Sequence, residues 1–161
     1  MRDSLYGELR AINRKRFHEI WKKAQKGDVE NLTEEDKHLA KIMLDHSDEY
    51  FNQFEFADAM AEHEYDPETE VNPFLHVTLH AIAENQIEDR NPIEAFQFYN
   101  AMLKNKCSRD EAIHLLLNIL IKFLFRTLKE KVTFPIDSYR KVLSEYKSRK
   151  PAKIIRLLEK D

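Results

Sequence analysis

The sequence predicts an all-α fold, a single-domain helical bundle of six to eight helices, on three observations. Two glycines and five prolines in 161 residues leave too few of the residues that hairpin turns demand. Apolar side chains return every three or four positions along most of the chain, which is the period of a helix face and not of a strand. Capping sequences, Asn72-Pro73, Asn91-Pro92 and Ser108-x-x-Glu111, stand where the periodic runs begin.

From Ser4 to about Lys26, Leu5, Leu9, Ile12, Phe17, Ile20, Trp21 and Ala24 form one apolar stripe, and Arg10, Arg14, Lys15, Lys22 and Lys26 are assigned to the opposite face. Gly27 ends that helix. Thr33 is the expected cap of a second helix, with Glu34, Glu35 and Asp36 in its first turn and Leu39, Ile42 and Met43 buried. His38 and His46 fall on it or just after it, with no evident chemistry. Ser47 is expected to cap a short third helix through Tyr50, Phe51 and Phe54, reaching toward Met60. AEHEYDPETEV, residues 61–71, is acidic, contains Pro67 and reads as a surface loop.

Asn72 then caps a central helix beginning at Pro73, whose period gathers Leu75, His76, Leu79, Ile82, Ala83, Gln86 and Ile87 in one arc with His80 at its edge. Asn91-Pro92 repeats that start for a fifth helix carrying Ile93, Phe96, Phe98, Tyr99, Met102 and Leu103, which ends near Asn105. The capping box of Ser108 and Glu111 opens a sixth, Arg109 to about Lys131. Its apolar positions from Ile113 to Leu128 cover most of its circumference, so it is expected to be the most buried, with His114 and Asn118 on the margin. Two closing helices follow, Ile136 to Tyr146 and Pro151 to Lys160, with Tyr139, Val142, Leu143, Ile154, Ile155, Leu157 and Leu158 inward. The domain therefore reads as amphipathic helices (1–60), an acidic loop (61–71), central bundle helices (72–131) and C-terminal helices (132–161).

Cys107 is the only cysteine, which excludes an internal disulfide and a zinc ribbon. At a helix amino terminus its thiol pKa could be lowered by the dipole, although a lone turn thiol is the plainer account. MRDSLYGELR lacks the apolar run of a signal peptide, and no stretch is apolar enough to span a bilayer, so a cytoplasmic protein without membrane contact is expected. Charge is lopsided: residues 1–26 hold 8 Lys/Arg against 3 Asp/Glu, residues 28–70 hold 2 against 15, and residues 112–161 hold 12 against 5. Acids interleave the basic segments and no aromatic stacking pattern accompanies them, which disfavours a nucleic-acid partner.

The chemistry centres on the fourth helix. His76 and His80, four apart, can offer two ring nitrogens to one point, and Glu84, a turn further, is a less well aimed oxygen ligand. The alternative is a core histidine beside a half-exposed neighbour. Val77 stands where a zincin protease needs its glutamate, so that enzyme class is excluded. On the sixth helix His114, with Asn118 one turn on, could supply a third imidazole from a packed neighbour, an arrangement that holds zinc, nickel or ferrous iron.

The segment N-P-F-L-H-x-x-L-H, Asn72 to His80, followed by Gln86, Pro92-Ile93 and a later helix with His114, resembles a bacterial family of short proteins catalogued as domain of unknown function 1841. The resemblance is specific over Asn72 to His80, looser to about Leu143 and poor over the first seventy residues. It implies the grouping of His76, His80 and His114 and brings no activity. The family pattern has an acidic residue where this chain has Asn118, so an amide stands in place of a carboxylate.

Glu111-x-x-His114 and Glu35-x-x-His38 share the spacing of di-iron bundles, but the second lies in an exposed first turn. Pro92 to Ala112 is similar to one helix of an RNA-binding helical repeat, but no second copy follows. The reading is one transition-metal ion (Zn, Ni or Fe) held by His76, His80 and His114, with Glu84 or Asn118 as secondary contacts. An enzyme built on it would be a metal-dependent hydrolase or transferase using metal-bound water, with no catalytic residue identifiable. The alternative is a cofactor-free module that docks a protein partner.

Overall fold

The computed structural model describes residues 2–66 and 69–160. Among the described residues there are eight helices and no strand: α1 (Arg2–Lys26), α2 (Glu34–Asp45), α3 (Ser47–Glu55), α4 (Pro73–Asp89), α5 (Ile93–Lys104), α6 (Arg109–Glu130), α7 (Ile136–Tyr146) and α8 (Pro151–Glu159). The fold class is therefore the one expected. The side chains of Leu5, Leu9, Arg10, Ile12 and Leu128 lie outside the described residues, as do Pro67 and Glu68. The chain forms two compact units, Met1–Ala81 and Ile82–Asp161.

In the first unit α1 packs on α2 and α3, and α2 on α3. Phe17, Ile20, Trp21 and Ala24 meet Leu39, Ala40, Ile42 and Met43, with Phe54, Ala57, Phe74 and Val77 completing the apolar cluster. Trp21 packs against Phe54 at 5.3 Å with the rings tilted by 46° and turns an edge to Phe51 at 5.7 Å, while its indole N–H donates to Glu55 Oε2 at 2.8 Å. The ring is thus buried with its one polar atom satisfied. Thr33 caps α2 as its sequence requires, its hydroxyl accepting from Asp36 N at 3.1 Å.

Three expectations in this unit fail. The sequence places Arg14 on the polar face of α1, yet it is 3% exposed. It precedes Phe17 by three residues and Trp21 by seven, which puts it in phase with the apolar stripe. Its guanidinium carbon lies 4.4 Å from the Phe74 ring centroid and 5.0 Å from that of Tyr65. Ser47 is not the cap of α3: His46 is the N-cap, without a side-chain bond, and Ser47 is already helical. The helix is irregular at Tyr50 (φ −124°, ψ 21°) and stops at Glu55, so it does not extend to Met60, which is exposed.

In the second unit α5 packs on α6 and α7, and α6 on α8. Ala95, Phe98 and Met102 of α5, Ala112, Leu116 and Ile119 of α6, Tyr139 and Leu143 of α7 and Ile154 of α8 are buried. Ser108 caps α6, accepting from Glu111 N at 3.1 Å, and Lys131, with φ 53°, closes it. The Tyr139 hydroxyl donates to Gln86 Oε1 at 2.6 Å, and Arg140 makes two bonds to the Glu94 carboxylate at 2.9 and 3.0 Å.

Asn91 does not cap α5, because Pro92 holds the N-cap position. The Asn91 N–H donates to Gln86 O at 3.1 Å beside Arg90 at φ 53°, so Asn91 serves the end of α4. Helix α6 is deeply buried only over its first half, to Leu120; Ile121, Phe123 and Leu124 are half-buried and Phe125 is exposed. Ile82 and Ile155, both expected inward, are exposed.

Candidate metal centre

His46 is at once the C-cap of α2 and the N-cap of α3, and it is 7% exposed. Its ring Nδ1 lies 2.9 Å from Ile42 O. A carbonyl only accepts, so Nδ1 carries the ring proton and the neutral imidazole presents a lone pair at Nε2. Metal-ligating histidines are held in the same way.

That Nε2 lies 3.3 Å from His76 Nε2. Two nitrogens bound to one tetrahedral ion at about 2.0–2.1 Å stand roughly 3.3 Å apart, so the pair already has the separation that coordination needs. His80 completes the group in the first unit: its ring centroid is 5.0 Å from that of His46 and 6.1 Å from that of His76. One ligand nitrogen of His80 lies within 4.8 Å of one of His46.

The start of α4 fixes the register of two of these rings. Asn72 Oδ1 accepts from Phe74 N at 3.0 Å and Leu75 N at 3.1 Å, and His76 N donates to Asn72 O at 3.0 Å. With that start, His76 and His80 fall on successive turns of one face. The Tyr50 ring lies parallel to His46 at 6.3 Å and 5.8 Å from His76, and Phe54 is 6.0 Å from Tyr50. Burial pushes the Tyr50 phenol pKa up and the neighbouring Glu49 adds to it, so Tyr50 stands beside the rings as a neutral hydroxyl.

The sequence sets His76 inward and His80 at the edge of the arc, and the structure inverts their burial: His80 is 5% exposed and His76 half-buried. The sequence passes over His46. The signal was present, since His46 continues the Leu39, Ile42 and Met43 stripe at spacings of seven, four and three. His114 belongs to the second unit, where it is half-buried, with Nδ1 2.8 Å from Asp110 O and 3.2 Å from Asp110 Oδ2. Glu84 is half-buried one turn past His80 on α4, and Asn118 is exposed on α6. Two other histidines face single carboxylates: His18 is 3.6 Å from Asp58, and His63 is 3.3 Å from Glu70. The Cys107 thiol is pushed up by burial and then by Glu111, so the helix start does not activate it.

The family model for a domain of unknown function, DUF1841, matches residues 10–145. The chain belongs to the DUF1841 family. The match reaches back over most of the first seventy residues, where the resemblance read from motifs was poor, and so it includes His46 with His76, His80 and His114. No curated protein and no solved structure matches the chain significantly. No helix among the described residues of this DUF1841 protein is long and apolar enough to cross a membrane.

Proposed function

We propose that this DUF1841 protein is a helical metal-binding protein in which His46, His76 and His80 hold one transition-metal ion. The observation that carries the reading is the 3.3 Å separation of two Nε2 atoms, one of them on a ring whose Nδ1–H is already committed to Ile42 O. Neutral imidazoles favour zinc, nickel, copper or ferrous iron over magnesium and calcium, which select oxygen ligands. With an open position on the ion, bound water would serve a hydrolase or transferase as nucleophile or base. The competing reading, a cofactor-free interaction module, takes the same contact as a His76-to-His46 hydrogen bond.

Elemental analysis of protein purified without a chelating tag and re-equilibrated with Zn, Ni, Cu or Fe(II) separates the two. Near-stoichiometric metal that is lost in His46→Ala and in His76→Ala supports the site; wild type as empty as the variants sinks it. Affinity should weaken below about pH 6, because protonated imidazole cannot ligate. The sequence-based expectation of an additional ligand at His114 is tested by the same measurement on His114→Ala. Unchanged metal content in that variant limits the ligand set to the first unit.

A further inference from the structure

The second unit holds a cavity of about 360 Å³ where the chain leaves α4 and enters α5, with the start of α7 beside it. None of its lining residues belongs to the first unit, which carries His46, His76 and His80. Its volume is near the lower end of small-molecule sites.

One charge on its wall is fixed in place without being neutralised. Arg90 takes the left-handed position that ends α4 (φ 53°), pinned by its own N–H donating to Ile87 O at 3.4 Å and by Asn91 N donating to Gln86 O at 3.1 Å. Its guanidinium carbon lies 4.2 Å from the Phe96 ring centroid. Such a stack uses the flat face of the guanidinium and leaves the N–H groups, which lie in its plane, for an acceptor. Among the described residues no carboxylate pairs with Arg90.

The other lining charges cancel each other. Glu94 accepts from Arg140 Nε at 3.0 Å and Nη2 at 2.9 Å, which neutralises that carboxylate and leaves Nη1 of Arg140 as a further donor. Asp137 acts on Arg140 and Lys147 on Glu94 from outside the lining, one charge of each sign. Two guanidiniums against one carboxylate suit a ligand with a single negative charge. The carboxamide of Asn91 adds an uncharged donor. The rest of the wall is apolar, and it includes Ile93 and Ile136, which are 41% and 46% exposed. A hydrocarbon body seated there would remove both side chains from water. Phosphate would match the guanidiniums but not the isoleucines.

We propose that this cavity binds a small aliphatic carboxylate, its charged group held by Arg90 and Asn91 and its hydrocarbon body laid over Ile93 and Ile136. The test is a series of ¹H–¹³C methyl spectra of the full chain titrated with acetate, butyrate, isovalerate and hexanoate. Expected are saturable shifts of the Ile93 and Ile136 methyl groups with at least one of the three longer acids, weakened about tenfold or more in Arg90→Gln, as loss of a charge-assisted bond requires. Acetate, which lacks the hydrocarbon body, should bind about tenfold more weakly as well. The alcohol with the same body as the acid that binds, and inorganic phosphate, should each bind more weakly than that acid. Arg90 is exposed, so its variant keeps the fold, and unchanged methyl signals away from the cavity verify this; the comparison of acid with alcohol needs no variant. No saturable shift with any of the acids, equal binding of the alcohol, of acetate or of phosphate, or full binding by Arg90→Gln overturns the proposal. Because the titration uses metal-free protein and reads groups of the second unit, its outcome is separate from that of the metal analysis.

Discussion

Tyr139 shows how much one polar atom decides when it is buried. Its ring has no exposed surface and its hydroxyl is committed to Gln86 Oε1. Burial pushes its pKa well up, and the bond to Gln86 offsets this only in part. Tyr139→Phe should therefore cost about 1–2 kcal/mol in urea unfolding, the price of leaving the Gln86 carbonyl unpaired. A variant as stable as wild type would mean that this bond contributes nothing. Arg14 and His46 make the same point from the sequence side. Both are polar residues in phase with an apolar stripe, and both are buried. Residue type argued for the surface and periodicity for the interior; periodicity prevailed because aromatic rings around Arg14 and a backbone carbonyl beside His46 accommodate the polar atoms.

Helix starts were legible wherever a side-chain oxygen had no other task. Thr33, Asn72 and Ser108 each accept from a backbone N–H of the first turn of their helix. Asn72→Ala should cost about 1 kcal/mol in the unfolding of the chain. It should also loosen the register of His76 and His80, so metal retention is expected to fall with stability; retention equal to wild type would show that the cap does not position the rings. The starts that the structure moves, from Ser47 to His46 and from Asn91 to Pro92, are places where the preceding helix claims the backbone. His46 closes α2 as it opens α3, and Asn91 is bonded back to Gln86. Such sharing leaves one residue between α2 and α3 and three between α4 and α5, too few to read as a loop.

Over the molecule as a whole, each unit has its own response to pH. In the first unit, bonds from Lys22 and then Trp21 hold the Glu55 carboxyl below its ordinary range; in the second, the Arg140 bonds do the same for Glu94. A carboxyl with a depressed folded pKa adds stability that is present above the unfolded value, near 4.3, and lost as pH falls through the folded one. Tyr139 has the opposite sign: its raised folded pKa adds stability that is present below about pH 10 and lost as pH rises beyond it. Unfolding at graded pH should then show acid loss that Glu94→Gln reduces and alkaline loss that Tyr139→Phe reduces. Profiles identical to wild type in both variants would remove these two pairs as the cause.

The sequence alone determined the all-α class, the span of nearly every helix and the placing of His76 and His80 on successive turns of one helix, because period, caps and i,i+4 spacing are properties of neighbours along a chain. It left open which turn of α4 faces inward, and it could not bring His46, thirty residues earlier, to within 3.3 Å of His76. Only tertiary packing of α2, α3 and α4 decided that, since the distance between side chains on different helices depends on how the helices stack, and no spacing within one helix records it.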